Sequence, residues 1–145
     1  MVHMANCGPN TEGRMFFNID VQVEKGAPPQ RRNVDTELVQ WMLTQLEFLD
    51  MNNRFSGEND ADTINAITQF QLANGPFPPD GFVSVARGVS FGPSHSPFMI
   101  VNLNRDIRRK FSGQWPIINQ IVGRNMPPLL ANRIGDLLGN LSGTF

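Results

Sequence analysis

A single cysteine, Cys7, leaves this chain without the means to form an intrachain disulfide, and a lone thiol is compatible with a reducing or an oxidising compartment. Histidine is nearly as scarce, with two: His3 stands near the start, and His95 sits between two serines in a loop-like stretch. No His-x-x-Glu-His spacing occurs, and a metal centre needs three or more ligands brought together. The Gly-x-Ser-x-Gly elbow is missing, and no glycine-rich loop precedes a Lys-Ser or Lys-Thr pair. No apolar run approaches the length needed to cross a bilayer. The N-terminus lacks a basic segment followed by an apolar run, so no secretory signal is visible. Met1-Val-His-Met4 is readable as a cloning remnant with Met4 as the native start, which leaves the compartment open. There is no internal repeat and no low-complexity tract. These absences argue against an enzyme, and no catalytic residue, cofactor or metal is expected.

At 145 residues the chain has room for one domain with extensions. It is 40% hydrophobic and only 17% charged, the profile of a globular protein with a weakly charged surface. The net charge of −1 conceals a split. Up to Val83 there are five Lys/Arg against eleven Asp/Glu; from Ser84 onward there are seven against two. Such a division is compatible with an anionic partner on the basic side, or with mutual neutralisation inside one fold. Arg105, Arg108, Arg109 and Lys110 form the densest basic run. No membrane partner is expected, since no apolar run is long enough to span a bilayer, and no nucleic acid, since the pI is near 6.1 and aromatic and basic residues do not interleave.

Residues 1–14 carry no periodic apolar pattern and read as loop or disorder. Phe17, Ile19, Val21 and Val23 then alternate with polar residues, which predicts a strand with one buried face and an edge in need of a partner. A first helix follows, capped by Asn33 or Asp35, with Leu38, Trp41, Met42, Leu46 and Leu49 on one face. A second starts after Asp60 or Asp62 and buries Ala66, Ile67, Phe70 and Ala73. Gly75 and the prolines at 76, 78 and 79 stop it. Ser96-Pro97 signals the start of a third helix bearing Ile100, Leu103, Ile107 and Phe111 and ending before Gly113. Trp115 to Val122 and Leu129 to Leu138 are shorter, helix-like apolar segments that cover the core or contact a partner.

One stretch is more specific than the rest. Thr63, Ala66, Ile67, Phe70 and Gln71 share a helix that runs into Ala73-Asn74-Gly75 and then Asp80-Gly81-Phe82-Val83. That order resembles the peptidoglycan-binding domain family of small three-helix modules, with Thr-x-x-Ala-Val-x-x-Phe-Gln leading to Ala-Asn-Gly and Asp-Gly-hydrophobic. The resemblance spans roughly Val34 to Phe111, loosely in the first helix and through Ile100, Leu103 and Asn104 in the third. It departs where the family has Asp-Gly-x-Phe-Gly: here Asn52-Asn53-Arg54-Phe55-Ser56-Gly57 stands, and Glu58 to Asp62 lengthens the approach to Thr63. A long loop through Gly88 and Gly92-Pro93 is inserted before the third helix. Packing alone suffices to explain Thr63, Ala66, Ile67 and Phe70, and Gln71 is placed to bond backbone in the following turn.

The expected fold is therefore mainly α: a three-helix peptidoglycan-binding-like bundle with an N-terminal strand and a C-terminal helical extension. Its parts are a tail over 1–14, the domain with its lead-in strand over 15–112, and the extension over 113–145. The resemblance implies a non-catalytic bacterial cell-wall module, in the envelope or secreted, that binds the glycan or stem peptide of peptidoglycan. Ligands of that kind call for amides and an occasional arginine. The candidate ligand-binding residues are Asn52, Asn53 and Arg54, Asn65 and Gln69 four apart on the second helix, and Asn74 and Asp80. The other reading is a structural or adaptor protein in a phage-like or secretion assembly, or a homo-oligomer, holding protein through the strand edge and the C-terminal segments.

Overall fold

The computed structural model describes residues 1–6, 15–20, 23, 33–50, 56–74, 79–86 and 98–141. Among these the chain is mainly helical, with four α-helices and one two-stranded antiparallel sheet. In chain order the elements are β1 (His3–Asn6), β2 (Met15–Asn18), α1 (Val34–Gln45), α2 (Ala61–Ala73), α3 (Met99–Lys110) and α4 (Pro128–Leu141). A single 3-10 turn, Ile118–Gln120, precedes α4.

α1 is the axis of the molecule. Asn33 caps it, its side chain accepting from the Asp35 amide, and Asp35 and Glu37 in the first turn suit the positive end of the helix dipole. Its one-faced amphipathic pattern does not survive into the tertiary structure. α2, α3 and α4 all pack on it, so Asp35, Thr36, Glu37, Val39, Gln40 and Leu43 are buried along with Leu38, Trp41 and Met42. At its C-terminal end Phe48 N–H donates to Leu43 O (2.9 Å) and Glu47 N–H to Thr44 O (3.1 Å). This pair of bonds closes a Schellman motif in which Glu47, at φ 69°, occupies the left-handed position usually given to glycine.

The expected strand over Phe17 to Val23 is shorter than the alternation implied. β2 ends at Asn18, and Val23 instead forms an isolated bridge to Val83, with bonds of 2.9 and 2.8 Å. Its residues are also not half-exposed: Phe16, Phe17, Asn18 and Ile19 are all buried. β1 covers one edge of β2, α3 packs on it, and Trp115 meets Phe17 edge-on at 5.5 Å. The reading of residues 1–14 as an unstructured tail fails for residues 3–6, which are β1, in register His3 to Asn18 through Asn6 to Met15. Residues 7–14 lie outside the described set. Val2 is fully buried, its carbonyl accepts from Arg133 Nε (2.8 Å), and the Met1 ammonium meets Asp20 at 2.6 Å and Asp35 at 3.3 Å.

α3 begins at Met99 with Phe98 in the capping position and no side-chain cap bond; Ser96, the expected start signal, lies outside the described residues. It ends at Lys110 as its apolar spacing predicts. Beyond it, the helix expected over Trp115 to Val122 is a series of turns and the 3-10 turn, while the second apolar segment is the helix α4. Leu130 and Ile134 of α4 are fully buried, and Trp41 Nε1 donates to Arg124 O (3.0 Å). The C-terminal region is thus part of the core through its contact with α1.

Candidate functional site

The candidate site is α2 with the turns at its two ends, and buried side-chain amides hold both turns. At the start, Asp60 caps α2: its Oδ1 accepts from Thr63 N–H (2.8 Å) and Thr63 Oγ1 (2.7 Å). Gln40, fully buried on α1, reaches across. Its Nε2 donates to Thr63 Oγ1 (2.8 Å), Glu58 O (2.9 Å) and Ser56 Oγ (3.0 Å), and its Oε1 accepts from Gly57 N–H (2.9 Å). At the far end Gln71 plays the same part. Its Oε1 accepts from Gly81 N–H (3.0 Å), and its Nε2 donates to Phe82 O (3.0 Å) and Asp80 Oδ1 (2.9 Å). Gly81 sits at φ 77°, and a Cβ there would lie 3.1 Å from Ile64 Cγ2.

Two more buried amides repeat the device. Asn104 Oδ1 accepts from Phe17 N–H (2.8 Å) while its Nδ2 donates to Phe17 O (3.0 Å), so it stands in for a neighbouring strand on the far edge of β2. Asn18 does likewise for Ala86, accepting from its N–H (3.2 Å) and donating to its O (3.0 Å). A primary amide offers one acceptor and a donor side by side, the pattern a peptide group presents, so it can complete a backbone that has no strand beside it.

Against this frame the seven candidate residues separate. Asn65 and Gln69 are exposed and share the outer face of α2 with Asp62 and with Leu72, which is 59% exposed. Asp80 is exposed, but its Oδ1 is engaged by Gln71 and by Phe82 N–H (2.9 Å). Asn74 is half-buried at the end of the helix and donates to Phe70 O (3.0 Å), a helix-ending role. Asn52, Asn53 and Arg54 lie outside the described residues. Ala73, expected on the buried stripe, is exposed, because it lies one position past the face that Phe70 and Gln71 turn inward. Gln40 and Asn18 were not singled out as site residues, and Asn104 entered only through the family resemblance of the third helix. For Gln40 and Asn18 the signal is an amide between apolar neighbours, Val39 and Trp41, Phe17 and Ile19.

Among the described residues no three His, Cys, Asp or Glu side chains lie close enough to hold a metal ion. The Met1 ammonium is partly buried, which alone would lower its pKa, but the hydrogen bond to Asp20 and the charge of Asp35 hold it above its ordinary value. The same hydrogen bond holds the Asp20 carboxyl below its ordinary value. This cluster ties the N-terminus to α1 and lies apart from the residues of the candidate site. In comparisons with known proteins, the chain matches no protein family, no curated protein and no solved structure.

Proposed function

We propose that the chain is a non-catalytic bacterial cell-wall module that binds peptidoglycan through the outer face of α2 and the turns at its ends. One observation carries this reading. Thr63 and Gln71 of the family-like stretch are tied to Gln40 and to the 80–82 turn, so their register aims Asn65 and Gln69 outward together. Two exposed amides on a helix held at both ends suit the acetamido and peptide groups of the wall polymer. In this reading α1, α2 and α3 are the three-helix bundle, the strands and α4 are additions to it, and the protein works in the envelope or outside the cell.

The test is co-sedimentation with purified sacculi. Wild type should pellet, and Asn65→Ala/Gln69→Ala, altered only at exposed positions, should lose most of that binding while keeping its helical circular dichroism. Asn53→Ala/Arg54→Ala asks the same of the turn after α1. A folded wild type that stays in the supernatant overturns the reading.

A structural or adaptor role is the second reading, favoured by apolar exposure after Gly113: Ile117, Val122 and Leu129 are all exposed. An adaptor of that kind should self-associate or hold a defined protein at micromolar concentration, whereas a wall module should run as a monomer in light scattering.

A further inference from the structure

We propose that the C-terminal end of α3 and the turn at 121–125 form a docking surface for an anionic lipid membrane. This does not rest on the wall-binding reading and uses none of its residues. Arg108, Arg109, Lys110 and Arg124 are all exposed, and Arg108 and Arg109 make no ion pair among the described residues. The fold, not the sequence, joins Arg124 to the others. Its guanidinium lies 5.4 Å from the centre of the Phe111 ring, and Lys110 Nζ lies 5.9 Å from the same ring. Trp41 anchors the turn from inside through the Arg124 carbonyl. Lys110 also donates to Gln45 O, which brings it to the end of α1, where the chain carries Glu47 and Asp50. Four cations against two carboxylates leave the rim positive.

Val122 decides the kind of partner. It is 94% exposed, on a turn whose next residue, Gly123, has φ 77° and whose Asn125 has φ 40°. A side chain so bare stands on a convex tip and has no groove around it. A phosphate polymer would gain from the cations and nothing from the valine. A lipid surface takes both, headgroups meeting the cations and the interface accepting the apolar tip. No helix of the described residues is long and apolar enough to cross a membrane, and surface docking requires none. The expectation of no membrane partner rested on the lack of a spanning run; the tertiary structure joins Arg124 to the basic run of α3.

The experiment is flotation of the full chain with phosphatidylcholine vesicles, with and without phosphatidylglycerol. Wild type should float only with the anionic vesicles, and less as salt is raised. Arg108→Gln/Arg109→Gln should weaken binding about 25-fold, at about fivefold per cation. Val122→Asp should weaken it by about tenfold or more. Ser84→Asp, adding the same charge at an exposed position elsewhere, should bind as wild type does. All these sites are exposed, and circular dichroism verifies the fold. No flotation, or a loss as large in Ser84→Asp, overturns the proposal. So does binding that ignores Val122→Asp and is stripped by inorganic polyphosphate, which would assign the patch to a phosphate polymer.

Discussion

Replacing Gln71 by leucine tests whether a single buried amide holds the far end of the candidate site. Gln71 is 4% exposed, so leucine of similar length fits without leaving a large void. The change removes three hydrogen bonds and leaves two backbone groups without a partner, the buried Gly81 N–H and the part-buried Phe82 carbonyl. An orphaned buried group costs about 1–3 kcal/mol, and the carbonyl, nearer to water, costs about half as much, so Gln71→Leu should destabilise by about 2–4 kcal/mol. That is a large part of the roughly 5–15 kcal/mol a domain possesses. Gln71→Glu sharpens the test. It keeps an acceptor for Gly81 N–H but sets a second carboxylate against Asp80 Oδ1, where the amide now donates at 2.9 Å. The new carboxyl should titrate above its ordinary range in the folded state, so this variant should be least stable near neutrality and recover as pH falls. Urea unfolding followed by tryptophan fluorescence gives the free energies, and hydrogen exchange at the Gly81 amide reports the turn directly. A loss below about 0.5 kcal/mol in Gln71→Leu, with Gly81 still protected, would refute the reasoning.

Three further outcomes follow from particular residues. Glu47→Gly should stabilise by about 0.5–1 kcal/mol, because glycine removes the left-handed strain at φ 69° and gives back part of it as unfolded-state entropy; chemical denaturation checks it. Gly81→Ala should cost about 1–2 kcal/mol, from φ 77° together with the approach to Ile64 Cγ2, and thermal unfolding should show the fall. The Asp20–Met1 pair should contribute only over a pH window: the carboxylate's share is present above its unfolded pKa of 3.8 and lost as pH falls through its lowered folded value, while the ammonium's share is present below 8.0 and lost as pH rises through its raised folded value. Subtracting Asp20→Asn from wild type across a pH series should give a difference that is largest between these limits and vanishes at both ends.

Much of the helical plan is readable from residue chemistry alone. Asn33 and Asp60 are short polar side chains just ahead of apolar periodicity, and both cap as such residues do. The bond from Gln71 to the following turn follows from its place at the inner end of α2, with Asp80-Gly81 within reach. Of the candidate site, Asn65 and Gln69 were legible as one exposed stripe because a spacing of four keeps them on one helix face.

Local pattern determined α1, α2, α3 and α4 and the caps of α1 and α2, since these depend on neighbours within a turn or two. Burial was decided elsewhere. A helix surrounded by three others needs no polar face, so Asp35, Glu37 and Gln40 of α1 are buried beside the expected apolar stripe, with α4, from the far end of the chain, packed on it. Asn18, on the polar side of the strand alternation, is buried for the same reason, because its amide bonds to Ala86, 68 residues away. The pairing of Lys110 with Arg124 around Phe111 is also a product of the fold. Periodicity records which side chains one element turns together; which of those faces meet water depends on residues distant in sequence, and only the tertiary structure brings them near.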